Sequence, residues 1–446
     1  MALPVVARHF DASATAASWT LLTYMLVNTI LILAFGRLAD IVGRRRLYLF
    51  GLGTLTAASL ACGFAPNIVT LDALRGVQAI GAAAIITNTT AQLVDAFPRN
   101  LLATALGLNV SIAAFAQVIG PLIGGAVAGW GWRAVFWFNV PTGVVGLIWA
   151  RMTLRKPRER PEHEPFDVIG AVLSFVWLGG LVVALSEGGA LGWSSAPVIG
   201  GGAVFAIALP LFVVLQLRRR YPLLDFHLFA DRARSAAYVA NFLLQLARFA
   251  VVLLVALYLQ AARGLSPFEA GLRVIPVAAG MALVSPFAGR LVAYSSARVL
   301  STAGLALTGI GLLGLALRLE PHTSDAELWV WLALVGAGTG LFMTPNTNAI
   351  MSTVDARRRG VANGVRSMMQ NTGYVVGTAL SLGIVTTWLP SHEKAEAYAG
   401  TLSRLGERSL ADLTHGYHVA FVVLAAISAV GMVASLLRGQ AVREPL

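Results

Sequence analysis

Apolar residues in this chain come in thirteen runs of roughly 20, the length a helix needs to cross a hydrocarbon layer. The pattern predicts spans over 17–36, 47–65, 68–92, 101–128, 133–152, 166–186, 196–217, 236–260, 268–290, 298–318, 327–350, 361–388 and 416–437. Polar and charged residues gather in the short connections between them. The reading is an all-α integral membrane protein.

The connections differ in charge, and the difference sets orientation. Of 33 Lys and Arg, 23 fall on one side of the alternating pattern and 8 on the other, with Arg75 and Arg248 inside spans. The rich side holds Arg37, Arg44 to Arg46, Arg99, the Arg151–Arg160 cluster, Arg218 to Arg220, Arg357 to Arg359, Arg366 and Arg438. Basic loops face the cytoplasm, so the C-terminus is expected inside and the N-terminus outside. An outside start with an odd number of spans is an anomaly, and it points to a first span missing from this numbering.

Composition narrows the class. The chain is 57% hydrophobic and only 12% charged, too few charges to coat a soluble body of 446 residues. A net charge of +12 is accounted for by inside loops, so no nucleic-acid partner is expected. The single cysteine, Cys62, excludes an internal disulfide and a cysteine metal cluster. No metal or cofactor is expected, and no cleavable signal peptide is evident. A membrane enzyme would need a catalytic constellation. Neither an H-E-x-x-H nor a G-x-S-x-G motif occurs.

Three segments recur at nearly one offset. Gly36-Arg37-Leu38 matches Gly289-Arg290-Leu291 at 253 residues. Gly81, Thr87 and Thr90 match Gly338, Thr344 and Thr347 at 257, as Gly107 and Gly120 match Gly364 and Gly377. Order and common offset suggest two homologous parts. The expected division is 1–153 for an N-terminal half lacking its first span, 154–234 for a linker with two additional spans, and 235–446 for a C-terminal half of six.

Several motifs follow one another. Gly36-Arg37-Leu38-Ala39-Asp40-Ile41-Val42-Gly43-Arg44-Arg45-Arg46 crowds four arginines into one short turn. Arg75-Gly76-Val77-Gln78-Ala79-Ile80-Gly81, Gly120-Pro121-Leu122-Ile123-Gly124-Gly125 and Trp132-Arg133-Ala134-Val135-Phe136 come next, the last followed by Asn139-Val140-Pro141-Thr142-Gly143. Phe166-Asp167, Pro222-Leu223-Leu224-Asp225 and Ser266-Pro267 with Ala270-Gly271 complete the set. In this order they resemble the fourteen-span drug:proton antiporter family of the major facilitator superfamily, over nearly the whole chain. Ala79 and Ala116 replace two of the family's glycines.

The resemblance implies the major facilitator fold, two six-helix halves plus two linker spans. That family's first span carries an aspartate in an L-D-x-T-I-V-N-V-A-L-P stretch, and Met1-Ala2-Leu3-Pro4 resembles its very end. The expectation is therefore thirteen spans here with the first absent, through a misassigned start codon rather than a true fragment or degenerate copy.

Candidate residues follow from physics and from the resemblance. Asp40 and Arg44 are four apart and can pair on one helical turn. With Gly36, Arg37, Gly43 and Arg45 they form either a cytoplasmic gating loop, as the resemblance implies, or a topology anchor alone. Arg75 inside a span faces a cavity or a partner. It either pairs locally with Asp72 or, as the resemblance implies, takes part in proton coupling. Gly120, Pro121, Gly124 and Gly125 make a kink and a smooth face for close helix packing, which the resemblance reads as the antiporter motif. Asn241, Gln245 and Arg248 share one helical face and are expected in the central cavity, since lipid does not tolerate such a stripe. Arg248 either binds an anionic substrate group or bonds a facing helix. Asn109 with Gln117, and Gln370 with Asn371 and Tyr374, are further cavity candidates. No acid falls mid-span, so the missing first span is expected to supply the proton-binding group.

The expected function is proton-coupled efflux of hydrophobic or amphipathic small molecules, with protons as coupling ion and the lipid bilayer as surroundings. A monomer in the bacterial inner membrane is expected. The alternatives are a dedicated exporter of one endogenous metabolite, or a truncated copy that does not couple.

Overall fold

The computed structural model describes residues 6, 9–10, 14–128, 130–154, 166–224, 226–355, 358–385, 387 and 407–438. Among them the fold is helical throughout, and each of the thirteen apolar runs is a helix or a broken pair of helices. The elements are α1 (Ala14–Val42), α2 (Arg44–Cys62), α3 (Ile68–Ala96), α4 (Arg99–Ala128), α5 (Trp132–Trp137), α6 (Asn139–Thr153), α7 (Val168–Leu191) and α8 (Ala196–Arg218). After a 3-10 turn at Phe226–Phe229 come α9 (Arg232–Arg263), α10 (Pro267–Arg273), α11 (Ile275–Leu291), α12 (Ala297–Arg318), α13 (Asp325–Ser352), α14 (Arg359–Val385) and α15 (Glu407–Leu436). Nine of the described helices are long and apolar enough to cross a membrane by that criterion alone.

The breaks have local causes. Pro141 and Pro276 sit in the first turns of α6 and α11. A proline there lacks the N–H that would continue the preceding helix and clashes with its carbonyls. The expected turn over Gly36–Arg46 is nearly all helix. α1 continues through Asp40 to Val42, and α2 starts at Arg44. Gly43 alone makes the corner, at φ 100°, where a side chain would be strained.

Three motif segments of unassigned role prove to be structural. Asp167 is 4% exposed and caps α7 by accepting from Gly170 N at 2.9 Å. It also accepts from Gln216 Nε2 at 2.7 Å, and Gln216 Oε1 accepts from Leu224 N at 2.9 Å. Phe166-Asp167 and Pro222-Leu223-Leu224 thus meet at the base of the α7–α8 pair; Asp225 lies outside the described residues. Ser266 forms a capping box with Glu269 at the start of α10, with Pro267 at its first position.

Glycines matched in the sequence are matched in space. A methyl on Gly81 would lie 2.7 Å from the Gly51 carbonyl oxygen, so α3 and α2 touch backbone to backbone. A methyl on Gly338 would lie 2.5 Å from the Gly304 carbonyl oxygen, bringing α13 and α12 together in the same way. The α7–α8 pair lies against α1 and α14, with Trp177, Leu178 and Phe212 buried in one apolar cluster with Ile30, Leu33 and Val365.

Candidate functional site

The repeat-matched glycines also lie on the helices that form the seam. Gly36 on α1 packs on α14: a methyl there would stand 2.8 Å from the Gly360 oxygen and 3.1 Å from Gly364 Cα. Gly289 on α11 packs on α4, 2.5 Å from the Ala103 oxygen, and Gly107 on α4 meets the Ser285 oxygen at 2.5 Å. Gly36 and Gly289 are repeat partners, as are Gly107 and Gly364. The same crossing therefore occurs twice, related by the repeat.

One end of the α1–α14 seam carries a charged latch. Asp40 accepts from Gly360 N and Val361 N, both at 3.0 Å. These are early amides of α14, unpaired within the helix and at its positive end. Arg44 Nη2 donates to Asp40 at 3.1 Å, and Nη1 reaches Asp95 on α3. The second Asp95 oxygen accepts from Arg359 Nη1 at 3.1 Å. Four helices are tied through one chain of charges. Arg45 donates to the Arg151 and Leu154 carbonyls at 2.8 and 2.9 Å, capping the C-terminal end of α6. Asp95 and Arg359 belong to this latch although neither stood among the candidates.

A polar stripe continues along the seam. Asn241 Nδ2 donates to the Arg366 carbonyl at 3.3 Å, joining α9 to α14. Arg366 is 7% exposed, so it is no loop residue, contrary to its expected place among the inside-facing charges. Its guanidinium donates to Asn363 Oδ1 at 3.0 Å, Gln370 Oε1 at 3.1 Å, and the Thr90 and Ser367 hydroxyls at 3.3 Å. Gln370 passes the chain on to the Tyr374 hydroxyl at 2.5 Å, and Tyr374 stacks on Phe249 at 4.1 Å. Gln245 and Arg248 are fully buried on α9, and Arg248 Nη1 meets the Met281 sulfur at 3.6 Å. Asn109 and Asn371 are half-buried, and the Gln117 side chain lies outside the described residues.

The α1–α3 contact holds a third group. Asp72 accepts from the Thr20 hydroxyl at 2.6 Å, while Arg75 Nε donates to the Thr20 carbonyl at 3.1 Å. Arg75 also donates to Gln78 Oε1 and lies 4.3 Å from the Tyr24 ring centroid. The two charges converge on Thr20, and no direct ion pair joins them among the described bridges within 4.0 Å.

The Gly120 region departs from expectation. Gly120 is exposed, and a methyl on it would meet nothing within 4 Å, so the close packing expected there does not occur among the described residues. Its repeat partner Gly377 would strike the Leu246 oxygen at 2.2 Å. The difference is one of neighbours: α9 covers Gly377, and no described helix holds the equivalent place beside α4. Pro121, Gly124 and Gly125 lie within α4, with surroundings outside the described residues.

A paired glycine seam and a chain of charges join helix sets related by the internal repeat. The Major Facilitator Superfamily model matches residues 1–229 and 237–445. The chain belongs to the major facilitator superfamily. Members of this superfamily are transporters rather than enzymes. Among its relatives is the multidrug resistance protein Stp of Mycobacterium tuberculosis, 36% identical over 392 residues, covering 87% of this chain and 72% of Stp. The methylenomycin A resistance protein of Streptomyces coelicolor is 31% identical over 385 residues, covering 85% of this chain and 80% of that protein. The superfamily fold is also seen in the human organic anion transporter MFSD10, with a TM-score of 0.67 at 12% identity, over 94% of this chain and 83% of that one. The match to drug-resistance proteins agrees with the efflux family that the sequence motifs indicated.

Proposed function

We propose that this chain exports hydrophobic or amphipathic small molecules by antiport against protons, as a multi-pass monomer in the bacterial inner membrane with its C-terminus inside. The observation that carries the reading is Asp40 seated on the first amides of α14, which closes one end of the seam between repeats. Closing one end while the other opens is what alternating access requires. The names of Stp and the methylenomycin A resistance protein support a drug or antibiotic cargo. The latch end is the cytoplasmic one on this reading, with 1–153 and 235–446 as moving halves and 154–234 as linker. Asn241, Gln245, Arg248, Gln370 and Tyr374 line the substrate path, and Asp72 and Arg75 serve proton coupling. A dedicated exporter of one antibiotic is the second reading, favoured by a relative named for resistance to a single compound.

The test is dye accumulation in a bacterial host lacking its own major efflux pumps, with anionic, neutral and cationic fluorescent dyes. Expression lowers the steady-state level of at least one of them, and a protonophore restores it. Equal accumulation with and without the protein, across a panel of such dyes, sinks the broad-efflux reading.

A further inference from the structure

Arg248 is 3% exposed and Gln245 0% exposed, one turn apart on the same face of α9. Neither has the partner its burial calls for. Arg248 Nε and both polar atoms of the Gln245 amide make no hydrogen bond among the described residues. The one described bond of Arg248 goes to the thioether sulfur of Met281, a weak acceptor. Among the described residues, no strong hydrogen bond joins Arg248 to a facing helix.

A guanidinium keeps its charge at any working pH. Buried without a counter-charge it costs several kcal/mol, which carboxylates normally offset. The described ion pairs use Asp40, Asp95, Asp167, Asp325 and Glu327, all at or near helix ends. The second buried cation of the seam, Arg366, is surrounded by neutral oxygens. The described interior thus carries positive charge with no acid to answer it. Arg248 meets Met281, and the next residue on α9, Phe249, stacks on Tyr374 of α14. The Gln245 amide can add a donor to whatever the guanidinium holds.

We infer that Arg248 and Gln245 hold the acidic group of the cargo, and that the cargo class is the amphipathic organic anion: a carboxylate, sulfonate or phenolate on an apolar, often aromatic, body. This rests on the efflux reading and narrows it. Arg248 Nε and Gln245 Nε2 are then the donors awaiting the anion, and the ring pair is the surface for its body.

The experiment uses the purified full chain in detergent and three probes of one shape: 2-naphthoate, neutral 2-naphthamide and cationic 2-naphthylmethylammonium. Binding is read from tryptophan fluorescence and from the ligand-dependent rise in Tm. Naphthoate is expected to bind at least about ten-fold tighter than the amide, the scale of one charge-assisted hydrogen bond. Arg248→Gln brings that ratio to near one, Arg248→Lys keeps part of it, and Gln245→Leu weakens naphthoate alone. The unliganded Tm of Arg248→Gln stays level or rises, because an uncompensated charge has been removed. Equal binding of acid and amide, preference for the cation, or an unchanged ratio in Arg248→Gln overturns the inference. So does failure of all three probes to bind. Accumulation in cells of the anionic, neutral and cationic dyes reports separately on export. Export without anion preference sinks only the cargo class, whereas absence of both sinks the efflux reading as well.

Discussion

Asp40 and Gly360, 320 positions apart in the chain, are joined by a 3.0 Å hydrogen bond from the Gly360 amide to the Asp40 carboxylate. The bond spans the seam between α1 and α14. The carboxylate is held from behind by Arg44 at 3.1 Å, so the acid is fixed on one helix and spent on the other. No covalent or ligand step is needed to break it. Sliding α14 away by a few ångströms is enough.

Asp40→Asn should open this latch. The amide keeps one acceptor but loses the charge that favours a helix N-terminus and the Arg44 pair. The change costs about 2 kcal/mol on the closed side, on the scale of a hydrogen bond to a charged group. That shifts the balance toward the latch-open state by roughly thirty-fold. Spin labels at Arg46 and Thr353 on a Cys62→Ser background report it: the distance distribution gains a longer component in Asp40→Asn. An unchanged distribution means the contact does not gate.

Gly36→Ala tests the same seam by size rather than charge. Its methyl would stand 2.8 Å from the Gly360 oxygen, and both neighbours are backbone, which cannot step aside. Overpacking of this kind costs about 1–3 kcal/mol. Tm in detergent should fall and dye efflux drop sharply. Gly53→Ala is the control, since a methyl there meets nothing within 4 Å. It should leave both readouts within error of the parent.

These relationships divide into what one-dimensional pattern can carry and what it cannot. The thirteen runs were legible because crossing a hydrocarbon layer imposes a length and an apolar composition on each helix separately. The Asp40–Arg44 pair was legible because four residues is one turn, although a helix break at Gly43 falls between them. Its partners on α14 were not, because Gly360 and Val361 contribute backbone amides, which every residue carries. Arg366 counts as a loop charge in the sequence because hydropathy sees the same residue whether it borders a span or sits inside one. Only the neighbouring Asn363, Gln370 and Thr90 oxygens reveal which it is. Gly120 follows a related logic: a small-residue face announces that something can pack closely, and no described neighbour lies within 4 Å of a methyl there.

Arg366 and Arg248 should respond oppositely to neutralisation. Arg366→Met deletes donors to Asn363, Gln370, Thr90 and Ser367, stranding buried acceptors. Each stranded group costs about 1–3 kcal/mol where it finds no new partner. Thermal unfolding should therefore show a clear loss of Tm. Arg248→Met strands only a thioether and should not lower it. Equal losses in the two variants would contradict the contrast between a satisfied cation and an orphaned one.

Asp72 offers a way to separate coupling from architecture. Its carboxylate accepts the Thr20 hydroxyl while Arg75 holds the Thr20 carbonyl, so α1 and α3 meet through one residue with an acid and a base on either side of it. A merely structural Asp72 could be replaced by Asn, which still accepts that hydroxyl, with little effect on any transport mode. An Asp72 on the proton path could not, because an amide carries no exchangeable charge. In proteoliposomes, Asp72→Asn should abolish uptake driven by an imposed pH gradient while substrate exchange at equal pH on both sides continues. Thr20→Val supplies the opposite control: it breaks the hydrogen bond and leaves the acid, so gradient-driven transport should persist at reduced Tm. If Asp72→Asn retains gradient-driven transport, Asp72 is a fastening between α1 and α3, and the coupling proton binds elsewhere.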